Sequence, residues 1–243
     1  MKRIFFVSSL FIIIFIIIGI YIIKKPTYSA VYRGRLIAFK YGCFNCHGFE
    51  GIGGIKNPNY KYEEVPSFKG QTYMMFIKNP SEIKEWILYG KPRNRKVDNK
   101  GLIKMPAYEN IISQKELNDL IIYLKVIMDL IEINDSIAKR GYEIAENMGC
   151  FGCHGPYGLG GMPNPRSLKG YIPGWDDKEF NRLVLNDKEM REWIKEGKIK
   201  RLEFILKFQT IKMPSYKEVL NEQQIDTIIY YIKYLRSNYA LKF

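Results

Sequence analysis

Cys43-Phe44-Asn45-Cys46-His47 recurs as Cys150-Phe151-Gly152-Cys153-His154, and the two runs use all four cysteines and both histidines of the 243-residue chain. Two cysteines separated by two residues, with histidine next, can form thioethers to the vinyl groups of one haem and bring an imidazole to its iron. A zinc site built from two Cys-x-x-Cys knuckles would leave each histidine unexplained and would need both halves folded onto one ion. A pair of disulfides calls for no histidine at either position. The motifs therefore predict two covalently bound haem c groups, attached through Cys43, Cys46, Cys150 and Cys153, with His47 and His154 as proximal ligands.

Superposing the motifs takes a shift of 107 residues, and much else then coincides. Arg33-Gly34 falls on Arg140-Gly141, Gly51-Ile52-Gly53-Gly54 on Gly158-Leu159-Gly160-Gly161, Asn57-Pro58 on Asn164-Pro165, and Glu85-Trp86-Ile87 on Glu192-Trp193-Ile194. Towards the end of each unit the shift is 108, and Met105-Pro106-Ala107-Tyr108 matches Met213-Pro214-Ser215-Tyr216. Extra residues are expected around 60–65 in the first repeat and around 171–185 in the second. The chain divides into residues 1–25, a first domain over 26–130 and a second over 131–243.

Each repeat reads as three main helices joined by long loops, giving an all-α fold class. The first helix precedes the haem motif, over roughly Ala30–Tyr41 and Ser136–Met148. The second begins at Asn79-Pro80-Ser81-Glu82 and Asn186-Asp187-Lys188-Glu189, each with Asn at the N-cap and Glu three residues on; Gly90 and Gly197 mark its ends. The third starts at the capping-box spacings Ser113-x-x-Glu116 and Asn221-x-x-Gln224. Its apolar positions, Leu117, Leu120, Ile121 and Leu124, recur as Ile225, Ile228, Ile229 and Ile232, which is helical periodicity with one buried face. Loops this long imply that a haem fills the centre of each unit, with Gly53-Gly54 and Gly160-Gly161 letting backbone pass close to the porphyrin or turn sharply behind it.

With no third histidine, the distal side of each iron falls to methionine. Met74, Met75, Met105 and Met128 are the candidates in the first repeat, and Met148, Met162, Met190 and Met213 in the second. Only Met105 and Met213 are equivalent. Each precedes a proline, which biases the methionine to extended backbone on a stiff loop. Methionine most often fills a core, but repetition of this position argues for the iron, and Met/His ligation raises a haem's potential. Trp86 and Trp193 read as packing against haem rather than as electron stepping stones. The Tyr-rich tail (Tyr230, Tyr231, Tyr234, Tyr239) reads as packing or a contact surface.

A glycine separated by eight residues from Cys-x-x-Cys-His, a later Met-Pro-x-Tyr and a terminal amphipathic helix together resemble the class I cytochrome c family, in duplicate, over nearly all of residues 30–237. The resemblance implies that the first and third helices of each domain cross with Gly34 and Gly141 at the close contact. It implies that His47 and Met105 ligate one iron and His154 and Met213 the other. The loops Lys-Gly-Gln-Thr-Tyr (69–73) and Lys-Gly-Tyr-Ile-Pro-Gly-Trp (169–175) exceed what small single-domain members need and are candidates for a partner surface.

Residues 4–23 are interrupted in their apolar run only by Ser8, Ser9 and Gly19. As a helix rising about 1.5 Å per residue they would span the roughly 30 Å hydrocarbon layer. A signal peptide has a shorter apolar core and small residues at its cleavage site, whereas Tyr28-Ser29-Ala30 carries a bulky Tyr. An uncleaved transmembrane anchor is expected. Lys2 and Arg3 before the run and Lys24 and Lys25 after it give no charge contrast. Haem attachment outside the cytoplasm instead places the haem domains on the outer, periplasmic face, where the lack of a spare cysteine also fits.

The formal charge is +13. Residues 24–130 hold 18 Lys/Arg against 10 Asp/Glu and residues 131–243 hold 18 against 15, so most of the excess lies in the first half. An exported haem protein uses such charge to steer acidic redox partners rather than to bind nucleic acid. The run from Lys91 to Lys104, with Arg93, Arg95, Lys96 and Lys100 opposed only by Asp98, is the expected docking site. The expected function is a membrane-anchored dihaem electron relay in a respiratory chain, roaming or fixed within a quinol-oxidising (cytochrome bc-type) or terminal oxidase/reductase complex. The alternative, a dihaem peroxidase-type enzyme, needs an iron open to peroxide and is disfavoured by two methionine candidates and no distal histidine.

Overall fold

The computed structural model describes residues 2–239 apart from Gly70, Arg95, Asp98 and Asn99, and the side chains of residues 2–10, Gln71 and Thr72 also lie outside the description. Helix α1 (Lys2–Lys24) leads into the first unit, made of α2 (Ala30–Lys40), α3 (Cys43–His47), α4 (Glu82–Tyr89) and α5 (Gln114–Ile127). The second unit repeats this order with α6 (Ser136–Asn147), α7 (Phe151–His154), α8 (Phe180–Leu183), α9 (Asp187–Glu196), α10 (Glu203–Leu206) and α11 (Glu222–Asn238). The fold is mostly helical, as the sequence implies. It also has a two-stranded antiparallel hairpin in the second unit, β1 (Gly161–Pro163) with β2 (Tyr171–Pro173), in the register Met162 to Ile172. The first unit keeps only the bridge Lys56 to Glu64 at the same place.

Helices α2 and α5 form the most extensive contact of the first unit, and α6 and α11 that of the second. Both crossings turn on a glycine. A Cβ on Gly34 would lie 2.1 Å from the Asp119 carbonyl oxygen, and one on Gly141 would lie 2.4 Å from that of Thr227. The buried face of α11 carries Ile225, Ile228, Ile229 and Ile232, all of them expected. In α5, Leu117, Leu120 and Leu124 are buried and Ile121 is half-buried. Ser113 and Asn221 each close a full capping box with Glu116 and Gln224, supplying partners to backbone N–H groups that the first turn leaves unpaired.

Two expectations need correction. Helix α4 starts at Glu82, not after Asn79, because the Asn79 carboxamide oxygen accepts from Ser81 N (3.0 Å) in a tight turn instead of reaching the third residue of a helix. In α9 the expected cap does form, with Asn186 Oδ1 accepting from Glu189 N at 3.0 Å. The loops at 60–65 and 171–185 also do not differ in length. The His–Pro contact described below spans 19 residues in both units, and the Trp86–Phe76 and Trp193–Leu183 hydrogen bonds both span 10. The added residue lies later, since Asn57 reaches Ile103 across 46 residues and Asn164 reaches Ile211 across 47.

The units meet where the chain leaves α1. Thr27 Oγ1 donates to Glu179 (3.0 Å), Ser29 N donates to Asp177 (3.1 Å), and Lys169 Nζ donates to the Lys25 carbonyl (2.7 Å). Tyr28 and Tyr32 stack at 4.4 Å and both pack on Tyr171. The loop 169–175 is thus no free partner surface: Tyr171 and Trp175 are buried, Tyr171 against this strap. In loop 69–73 Tyr73 turns inward to line a cavity, while Gly70 and the side chains of Gln71 and Thr72 lie outside the described residues. Along α1, every apolar residue from Phe11 to Ile23 is exposed, by 42 to 73%. Among the described residues no helix is long and apolar enough to cross a membrane.

Two candidate haem pockets

Each unit encloses one cavity with apolar walls. Cys43, Cys46, His47 and Met105 line the first, together with Trp86, Ile87, Leu120 and Leu124. Cys150, Cys153, His154 and Met213 line the second, together with Trp193, Ile194, Ile228 and Ile232. Residues more than fifty positions apart in sequence are therefore brought to one cavity. Met128 and Met190 also line the cavities, but from unrelated positions, whereas Met74 and Met75 are exposed.

The proximal side is the same in both units. His47 Nδ1 lies 2.7 Å from the Pro66 carbonyl and His154 Nδ1 lies 2.9 Å from that of Pro173. A carbonyl there requires the proton on Nδ1, which leaves Nε2 as the lone-pair nitrogen for a metal. Burial pushes both imidazoles below their ordinary pKa, so they are neutral and able to ligate. Phe68 stacks on His47 (4.2 Å) and Trp175 leans on His154 (5.4 Å), fixing the ring planes. As thiols, Cys43 and Cys150 are pushed up to about 11 by burial. Among the described residues no three His, Cys, Asp or Glu side chains converge as a metal cage.

The distal loop is held by devices that only the structure reveals. Buried Asn57 accepts from Ile103 N (2.8 Å) and donates to the Ile103 carbonyl (3.0 Å), two residues before Met105. Asn164 repeats both bonds on Ile211, two residues before Met213, at 2.8 and 2.9 Å. Tyr108 N donates to the Ile87 carbonyl and its hydroxyl to that of Tyr41; Tyr216 does the same to Ile194 and Met148. Gly90 and Gly197 end their helices with φ near +68°, and a Cβ on them would meet the Met105 and Met213 carbonyls at 2.3 and 2.2 Å. Their second task is to let the methionine loop pass. The Asn-Pro repeat was visible in sequence, but its role needed the fold. Gly54 and Gly161 allow a close backbone approach, since a Cβ on Gly54 would meet the Val65 carbonyl oxygen at 1.7 Å and one on Gly161 that of Ile172 at 2.1 Å. Trp86 and Trp193 stand as cavity walls, their indole N–H groups donating to Phe76 and Leu183 carbonyls.

Replacing Asn164 with alanine breaks both backbone bonds of the loop and leaves the half-buried Ile211 N–H and C=O without this partner, a cost of about 1–3 kcal/mol. The expected result is a second site whose methionine-dependent ferric absorption weakens and whose unfolding midpoint falls while the first site is unchanged. An unaltered spectrum would show that the loop holds its shape without the clamp.

These pockets fit a covalently held haem: paired cysteines at one edge, a neutral imidazole with one nitrogen presented, a thioether on the same cavity and an apolar lining. Together they define a protein with two haem c sites. The cytochrome c family model matches residues 31–127 and 138–236, and the chain belongs to the cytochrome c family. No curated protein matches the chain. Among solved structures it is similar to a chain of the reducing HAO-like protein complex of Kuenenia stuttgartiensis, with 17% identity, a TM-score of 0.27, and coverage of 84% of this chain and 95% of that one.

Proposed function

We propose that the protein is a membrane-tethered dihaem cytochrome c that relays electrons between respiratory partners on the outer face of the membrane. The carrying observation is the pairing, in both cavities, of one neutral imidazole with one clamped methionine, His47 with Met105 and His154 with Met213. Haem iron held by both supplies reversible one-electron exchange at a raised potential with no site left for substrate. The chain's own contribution is to fix both ligand loops, so that little rearranges when the charge changes.

The apolar run at 4–23, helical through Lys24 and exposed from Phe11 onward, supports the anchor. Membership of a larger membrane complex is the close variant of a roaming carrier. Lys91 and Lys104 line the mouth of the first cavity, which supports docking of an acidic partner there. Arg93 is otherwise engaged, lying 3.7 Å over the Tyr89 ring and 4.0 Å from Glu109, and Arg95 and Asp98 lie outside the described residues. Steering by this run is then read from Lys91 and Lys96.

A spectroscopic redox titration of the purified protein tests the reading. Two six-coordinate sites are expected. Converting Lys91 and Lys96 to glutamine should slow electron exchange with an acidic partner about tenfold at low salt and flatten its salt dependence. A high-spin site that binds peroxide rapidly would instead establish an open iron and the peroxidase-type reading.

A further inference from the structure

Among the places where the repeats differ, one contacting pair of positions also reaches across the units. Glu50 and Tyr157 occupy the same position of the two units, both with left-handed backbone (φ 56° and 60°) that a residue other than glycine seldom adopts. In the first unit Glu50 turns inward and pairs with Arg35 at 2.5 Å. In the second unit the equivalents of Arg35 and Glu50 are Tyr142 and Tyr157, and the ion pair is replaced by a ring stack at 5.0 Å and 29°. The Tyr157 hydroxyl then reaches the first unit and donates to Asp129 Oδ1 (3.4 Å). Asp129 follows Met128, which lines the first cavity.

Beyond Tyr142 the contacts continue to the second cavity. Tyr142 stacks on Phe151 (5.2 Å, 27°), Phe151 meets the edge of Trp175 (5.9 Å), and Trp175 leans on His154 (5.4 Å). Fully buried Tyr231 braces Tyr142, Phe151 and Trp175 from one side at 6.0, 6.4 and 5.9 Å.

We propose that the series Asp129, Tyr157, Tyr142, Phe151 and Trp175 is the junction through which the two haem sites exchange electrons, a proposal that rests on the relay reading above. Electronic coupling decays steeply across a gap and more gently through packed atoms, so a continuous stack favours transfer over a looser interface. Burial, then the neighbouring Asp129 carboxylate, pushes the Tyr157 phenol well above its ordinary pKa, so its proton stays in place. One electron leaves one site and enters the other. No bond forms or breaks, and the aromatic residues are unchanged at the end.

The test uses the full-length protein with its haems, one site being reduced by a flash-generated donor and the approach to equilibrium followed optically. Tyr142→Leu, whose wild-type hydroxyl is held within its own helix by Glu146 (2.8 Å), interrupts the stack without cutting the Tyr157–Asp129 bond. It should slow exchange, with both midpoint potentials and the solution scattering profile unchanged. Tyr157→Phe keeps the ring but removes the hydroxyl bond to Asp129, and should also slow exchange. An exchange rate untouched by Tyr142→Leu, with two haems present, overturns the junction and leaves the relay standing. Fewer than two haems per chain overturns both.

Discussion

Replacing Met213 with alanine is expected to erase the weak red-end ferric absorption of the second site and to lower its midpoint potential by about 0.1–0.3 V, well inside the roughly 0.8 V that axial ligands command. The first site should be unaffected. The thioether is a neutral, soft donor that favours the reduced iron; without it, water or an empty position favours the oxidised state. The loop itself should survive, because Asn164, Tyr216 and Gly197 hold its backbone independently of the methionine side chain. The effect then belongs to the ligand and not to a collapsed pocket. Met105→Ala should do the same to the first site. Met190→Leu is the control, since Met190 also lines the second cavity yet has no equivalent in the first. A redox titration of the three variants decides. If Met190→Leu removes the absorption and Met213→Ala does not, the ligand assignment made from the repeat is wrong.

The repeat carried much of the reading because duplication separates shared chemistry from local accident. Met105 and Met213 stood out from the other methionines only because both copies place them before proline and two residues ahead of tyrosine. The capping boxes were legible for a similar reason, since their signals are local and repeated, whereas the glycines at the helix crossings were expected only from the family resemblance. What stayed hidden depended on long-range pairing. Nothing in Asn57-Pro58 announces that its side chain will clamp a backbone 46 residues away. The Asn79 signal was read as a cap because its pattern is that of Asn186, but the side chain had a nearer donor in Ser81. Loop 169–175 looked like spare surface because its length was compared with smaller proteins; it folds inward to hold Tyr171 against the strap at residues 27–32. The change from Arg35–Glu50 to Tyr142–Tyr157 reads as two unrelated substitutions until the fold sets them in contact.

Gly34→Ala should cost at least about 3 kcal/mol, at the upper end of what overpacking usually costs, although helix propensity alone favours alanine by roughly 0.5–1 kcal/mol. The two effects have opposite signs, so the measurement is decisive. The added Cβ would lie 2.1 Å from the Asp119 carbonyl oxygen, 2.6 Å from Tyr123 Cβ and 2.8 Å from the Asp119 carbonyl carbon. None of these atoms is the far end of a flexible chain. The Asp119 oxygen and carbon belong to the backbone of α5, and Tyr123 is only 1% exposed, with its hydroxyl near Glu50. Relief therefore requires α2 and α5 to separate, which would also strain the Arg33–Asp119 pair, bonded at 2.7 Å through both Nε and Nη2. At about 4–8 °C per kcal/mol for a unit of this size, the first domain should melt roughly 12–24 °C lower. Gly141→Ala should do the same to the second domain, where Thr227 replaces the aspartate and the contact is 2.4 Å. Thermal unfolding, with hydrogen exchange to report on α2 and α6 separately, reads the result. A domain that melts at the same temperature or higher would mean that the helices cross farther apart than the packing of α2 on α5 and of α6 on α11 requires.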